Sequence, residues 1–134
     1  MIINNKEYVF KIKGKVYHCA LDVTMDFIGG KWKTVVLWYL RDKTMRFGEL
    51  KKQIPDITEK MLSLQLKALE DDGLVKRQVF AEVPLRVEYS TTDFGRTLRP
   101  VLEAVAKWGR NLGETEGKVL EVTDRKPSKK KKMV

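Results

Sequence analysis

Apolar residues recur along this chain at two different spacings, and the switches between them mark out its elements. From Glu7 to His18 apolar and polar residues alternate on either side of Gly14, the period of a strand, which predicts a short hairpin or an extended arm. From Leu21 to Ile28 the apolar residues fall three and four apart. Asp22 is placed to cap that start and Gly29-Gly30 to stop it, so a short first helix is expected. Trp32 to Leu40, with Val35, Val36, Leu37 and Trp38, reads as a central helix buried on most sides. A third helix over Phe47 to Ile54 sets Phe47, Leu50 and Ile54 on one face. It ends where Pro55 removes an amide donor and pushes the residue before it out of helical geometry.

The fourth helix, Thr58 to Asp72, is the most legible. The Thr58 hydroxyl can cap the free amides of the first turn, Glu59 sits at the positive end of the helix dipole, and Leu62, Leu66 and Leu69 make a buried stripe. Gly73 can take the left-handed conformation that ends a helix. Leu74 to Phe80 and Arg86 to Ser90 are rich in valine and aromatics with alternating polarity, joined by Ala81 to Leu85 with its Pro84, and predict an antiparallel hairpin. A last long helix is expected over Asp93 to Leu112, with Phe94, Leu98, Val101, Leu102, Val105, Trp108 and Leu112 on its apolar side and Pro100 as a kink or restart point. Trp32, Trp38 and Trp108 are expected in the core, with the lining of a small ligand pocket as the alternative.

Three helices, a capped helix and a hairpin before a final helix, with only three residues between the third helix and the fourth, is the order of a winged helix-turn-helix. The expected fold is mainly α with a small antiparallel β-hairpin wing. It divides into an arm over 1–20, the winged domain with its final helix over 21–113, and a polar, basic tail over 114–134. The run from Asp124 to Lys132 has no apolar residue, cannot bury enough surface to offset ordering entropy, and is expected to be disordered.

In such a fold the fourth helix enters the major groove and the hairpin reaches the backbone or the minor groove. At about 100° per residue, a face centred on Leu62 turns Lys60, Leu64, Lys67 and Asp71 outward, with Ser63 on the flank. Lys60 and Lys67 suit phosphates or guanine edges, Thr58 and Ser63 can donate to phosphate or base, and Leu64 can pack on a thymine methyl. Met61, Arg46 and Lys31 complete the candidate contacts on the helices, and Lys31 reads equally as an ordinary surface residue. On the hairpin Arg86 suits a narrow minor groove; pairing with Glu82 or Glu88 is its alternative.

Charge alone does not decide the partner. The net charge is +9, but six of the basic residues stand in the last ten positions, and without them 21 basic residues face 18 acidic ones. The tail therefore adds non-specific attraction to nucleic acid or is merely a solvated end. One cysteine, Cys19, and one histidine, His18, allow no internal disulfide and no Cys/His metal cluster, and neither cofactor nor metal is expected. No stretch is apolar enough to span a bilayer, and Met1 to Tyr8 lacks the pattern of a signal peptide, so a cytoplasmic location without membrane contact is expected. An enzyme is disfavoured, because no G-x-S-x-G, H-E-x-x-H or phosphate-loop pattern is present and Gly29-Gly30-Lys31 lacks the upstream part of such a loop. A winged helix used for protein or RNA contacts remains a third reading, since fold alone does not fix the ligand.

G-G-K-W at 29–32, R-F-G-E-L at 46–50, T-E-K-M-L at 58–62, L-E-D-D-G-L-V at 69–75 and V-P-L-R-V-E-Y-S at 83–90 together resemble HxlR-type regulators, which are similar to MarR-type proteins. The resemblance covers about Cys19 to Gly113. It implies a winged-helix repressor or activator that binds duplex DNA as a homodimer on an inverted repeat, with an effector the sequence does not name. It also implies a dimer interface built from the arm and first helix, 8–28, and the last helix, 94–112. Leu85 departs from the family, where many members carry a second proline, and the charged tail lies outside the family core. Cys19 stands just before the first helix, where the family typically has a cysteine that in some members senses oxidants or electrophiles. A thiolate at a helix amino terminus is more reactive than usual, Lys15 can add to that, and burial would silence it.

Overall fold

The alternation around Gly14 does form a hairpin, and a shorter one precedes it. In the computed structural model, which describes residues 2–3, 5–7, 9–118 and 120–122, β1 (Ile2–Ile3) pairs antiparallel with β2 (Lys6–Glu7), and β3 (Phe10–Ile12) with β4 (Lys15–Tyr17). The chain continues through α1 (Ala20–Ile28), α2 (Lys31–Leu40), α3 (Phe47–Gln53) and α4 (Glu59–Asp71). The wing follows as β5 (Val75–Phe80) paired antiparallel with β6 (Arg86–Thr91), and the last elements are α5 (Asp93–Arg96) and α6 (Arg99–Glu116). This is the mainly helical, winged helix-turn-helix order that the hydrophobic pattern predicts.

Local chemistry sets the ends of α4. The Thr58 hydroxyl oxygen accepts a hydrogen bond from the Met61 N–H at 3.0 Å, so one of the free amides of the first turn is satisfied. At the other end Gly73 has φ 76°, a left-handed value that costs glycine nothing, and its N–H and that of Leu74 close back onto the carbonyls of Glu70 and Leu69. The inner side of α4 is then fixed by packing. Leu62, Leu66 and Leu69 are buried with Val36, Leu37 and Leu40 of α2, Leu50 of α3, and Leu74 and Val75 at the base of the wing. Burying each such leucine contributes about 1.5–3 kcal/mol. Ile54 and Ile57, on either side of the turn between α3 and α4, join the same core, so the turn itself is anchored.

Two contacts seat the wing. Met45, just ahead of α3, exchanges two backbone hydrogen bonds of 2.9 and 2.8 Å with Tyr89 of β6. Gly95 of α5 passes so near the chain leaving α4 that a Cβ there would stand 2.1 Å from the Leu74 carbonyl oxygen; only glycine allows that approach.

At α1, Cys19 rather than Asp22 occupies the capping position, and the Asp22 carboxylate instead accepts from the His18 N–H at 3.0 Å. The helix expected over Asp93 to Leu112 is two helices. Thr92 caps α5 by accepting from the Gly95 N–H at 2.9 Å. The chain then breaks, and α6 restarts with Pro100 in its first turn, where a missing N–H has no helical partner to lose. α6 runs on through Gly113 to Glu116, past the expected end at Leu112 and into the segment assigned to the tail.

Trp32 and Trp38 are half-buried against the core, but Trp108, expected there as well, is 71% exposed. It lies about 120° around α6 from the buried Leu102. The run from Asp124 to Lys132 lies outside the described residues. Among those described, no helix is long and apolar enough to cross a membrane, and no three His, Cys, Asp or Glu side chains are grouped to hold a metal ion.

Candidate nucleic-acid interface

A helix can enter a groove only when its inner side is held and its outer side chains are free of their own chain. On α4 the inner side is the leucine stripe, and Lys60, Ser63, Leu64 and Lys67 are all exposed on the outside. Leu64 is 54% exposed, an apolar side chain left uncovered among polar ones. Thr58, at the head of the helix, uses its oxygen as an acceptor for the cap and keeps its O–H to donate. Lys67 is less free than Lys60. Its ammonium lies 3.0 Å from an Asp71 carboxylate oxygen, and that hydrogen bond and charge hold it above the usual lysine range. Met61 is half-buried against the core, and its thioether accepts from Gln65 Nε2 at 3.2 Å, so it belongs to the flank of this face.

The remaining helical candidates stand on other elements. Arg46 is exposed at the amino-terminal cap of α3, where its backbone N–H donates to Glu49 Oε1 at 2.8 Å and its side chain makes no capping bond. Lys31 opens α2 with its ammonium 4.5 Å above the Trp32 ring. Exposed cations passed over in the sequence are Lys52 on α3 and Lys76 and Arg77 on β5. In β5 four consecutive residues, Lys76 to Val79, are exposed, so both faces of that strand stand clear of the core. Adjacent basic residues in a strand point to opposite faces, a pattern that one-sided alternation hides.

Arg86 holds its own hairpin. Its Nη2 donates to Glu82 Oε1 and its Nη1 to Glu88 Oε2, each at 3.0 Å, and its guanidinium carbon lies 3.7 Å from the centre of the Phe80 ring. The buried Nε has no hydrogen-bond partner among the described residues. Both carboxylates offered by the sequence are therefore engaged at once, and Arg86 reaches DNA only by leaving them. Beyond it, Val83 and Leu85 are exposed at the wing tip.

The arm is clamped to α1. The Tyr17 hydroxyl donates to Asp26 Oδ2 at 2.6 Å and Lys15 Nζ to Oδ1 at 3.0 Å. The Tyr17 hydrogen bond, then that of Lys15, keeps the Asp26 carboxyl below the ordinary carboxylate range, and the same contacts push Lys15 and Tyr17 up. Lys15 thus spends its charge on Asp26. Cys19 is half-buried between this clamp and the first turn of α1. Leu21 and Met25 of α1 and Val105, Trp108 and Leu112 of α6 are exposed apolar side chains.

A leucine-anchored helix behind a tight turn, with a wing fastened beside it, is how a helix-turn-helix presents itself to DNA. A model described as HxlR-like helix-turn-helix matches residues 27–117. The chain belongs to that HxlR-like family. It is 50% identical over 91 residues, 68% of this chain and 71% of the other, to YdeP of Bacillus subtilis (strain 168), an uncharacterised HTH-type transcriptional regulator. It is also 50% identical over 104 residues, 77% of this chain and 91% of the other, to BH0655 of Halalkalibacterium halodurans, described in the same way. Among solved structures, the redox regulator HypR in its oxidised form superposes with a TM-score of 0.67 at 46% identity, covering 69% of this chain and 96% of HypR. The reduced form of the transcriptional regulator YodB from B. subtilis gives a TM-score of 0.63 at 32% identity, covering 75% of this chain and 98% of YodB. As a member of the HxlR-like family this chain is a DNA-binding, helix-turn-helix transcriptional regulator.

Proposed function

We propose that this regulator acts as a cytoplasmic homodimer on an inverted-repeat operator, laying one α4 into each of two major-groove half-sites about 34 Å apart. The observation that carries the reading is the outer side of α4, where Lys60, Ser63 and Leu64 are exposed around a helix whose other side is fully packed. Lys60 and Lys67 meet phosphates or guanine edges, Thr58 and Ser63 donate to the backbone or bases, Leu64 meets a thymine methyl, and Met61 lines the flank. Arg46 and Lys31 position the domain on phosphates, and Arg86 exchanges its two carboxylates for the minor groove. Pairing of two chains covers Leu21, Met25, Val105, Trp108 and Leu112, which the single chain leaves exposed. No catalytic step and no cofactor enter this reading.

The test is binding to duplex DNA selected from a random pool, measured against salt. Lys60→Ala is expected to lower affinity and to reduce the slope of log affinity against log salt by about 0.9, one phosphate contact. Unchanged binding and slope, with the fold intact, would put the contact elsewhere.

The likeness to HypR and YodB supports a second proposal, that Cys19 responds to oxidants. With one cysteine per chain, oxidation joins two Cys19 thiols across the dimer, and two protons and two electrons pass to the oxidant, the N=N bond of diamide becoming a hydrazine. A non-reducing gel after diamide treatment should show a covalent dimer that Cys19→Ser abolishes; monomer alone sinks the proposal.

A further inference from the structure

We propose that the groove between the end of α2 and the charged side of α6 is a binding site for a small polyvalent anion, a molecule bearing two or more carboxylate or phosphate groups. The groove is open to solvent, offers about 410 Å³ and is lined by four cations, Arg41, Arg99, Lys107 and Arg110, against two carboxylates, Asp42 and Glu103. Arg99 answers both acids, with Nη1 at 2.6 Å from Asp42 Oδ1 and Nε at 3.1 Å from Glu103 Oε1. Arg41 is fixed in advance: its guanidinium carbon lies 3.5 Å from the centre of the Trp38 ring, its Nη1 donates to the Trp38 carbonyl, and its Nε lies 3.5 Å from Asp42 Oδ2. Lys107 and Arg110 are exposed at the mouth and have no ion pair among the described residues. A second hollow of about 260 Å³ shares Arg41, Asp42 and Arg99 and adds Lys43 and Arg96, so the positive surplus continues toward the base of the wing. Guanidinium forks bind carboxylate and phosphate oxygens in pairs, and a held, partly desolvated guanidinium loses little freedom in doing so.

In the pairing proposed above, the groove stays open. Measured around α6 from the buried Leu102, Val105, Trp108 and Leu112 lie about 60–120° to one side, and Arg99, Glu103, Lys107 and Arg110 about 60–140° to the other. A partner seated on Trp108 leaves the charged side to solvent. The site is built from this chain's own residues and does not depend on which DNA the regulator reads.

The full-length chain is titrated with citrate and, separately, with pyrophosphate at constant ionic strength, following the Trp38 indole N–H by nuclear magnetic resonance. Saturable shifts with a dissociation constant of about 1 mM or tighter are expected for at least one anion. The Lys107→Ala/Arg110→Ala double variant should bind at least about tenfold more weakly, and Lys11→Ala, which removes an exposed cation from β3, should bind as the parent does. Because both side chains of the double variant are exposed, an unchanged spectrum elsewhere reports its intact fold. Shifts that never saturate, or equal losses in the double variant and Lys11→Ala, would overturn the proposal and leave only screening by salt.

Discussion

α4 and α6 carry apolar residues at the same three-and-four spacing, yet they end in opposite situations. The stripe of α4, Leu62, Leu66 and Leu69, is wholly inside the protein's own core. Along α6 only Leu102 is fully buried, and Val105, Trp108 and Leu112 remain exposed. Periodicity states that a helix side seeks apolar cover; it does not state whose. In α4 the cover comes from α2, α3 and the wing base, which holds the opposite side rigid for a ligand. In α6 the exposed side is the part that a second chain would finish.

The sharpest break in that contrast is a cavity under α4. Leu66→Ala should cost about 2–5 kcal/mol of unfolding free energy in urea titrations, because its neighbours can only partly collapse into the space. The next largest effect belongs to α6 and should read out differently. Trp108→Lys is expected to weaken self-association by about 2 kcal/mol or more, shifting sedimentation toward the monomer. The parent's unfolding midpoint should also fall on dilution, as it does when stability includes subunit pairing, and the variant's should not. A Trp108→Lys chain that still sediments as the parent does would mean that α6 is covered by something other than a second copy.

Smaller effects separate the wing from both helices. Arg86→Ala should weaken DNA binding and reduce the salt slope by about 0.9. Glu88→Gln, which removes one of the two carboxylates holding Arg86, should tighten binding by a few-fold, within the roughly 0.2–1 kcal/mol of a partly exposed ion pair. Weakening by Glu88→Gln would instead make Arg86 a strut of the hairpin.

The least costly change is the arm's response to pH. Asp26 is depressed by Tyr17 and Lys15, so its share of the clamp is complete above the ordinary value of 3.8 and fades as pH falls through its lower folded value. Lys15 and Tyr17 are raised, so their share is complete below 10.5 and 10.0 and fades as pH climbs past their folded values. Magnetic-resonance contacts between the Tyr17 ring and α1 should therefore be constant through neutrality and disappear at both extremes.

What could be read from the sequence was local. Thr58, the leucines that follow it and Gly73 specify a start, a side and a stop within one short segment, and the fold follows each of them. The break between α5 and α6 was half visible. Pro100 signals a restart, but the bond from the Thr92 hydroxyl to the Gly73 carbonyl and the close passage of Gly95 beside Leu74 depend on a chain segment some twenty residues away. Non-local pairs were hidden for the same reason: Met45 with Tyr89, and the Arg41–Asp42 end of α2 with Arg99 and Glu103. Trp108 was misplaced because an indole on an apolar stripe reads as interior whether the interior belongs to one chain or two. For Arg86 the sequence offered two acidic partners as alternatives, and three-dimensional proximity allows both.

The two backbone bonds between Met45 and Tyr89 make the wing and the helix-turn-helix a single rigid reading head. Bending that head would tear a strand pair from its core, whereas in the proposed dimer turning one protomer against its twin would disturb only the contact between them. If the proposed pairing holds, control belongs to the spacing and tilt of two such heads, and an operator with the wrong number of base pairs between half-sites should be refused even when each half is perfect.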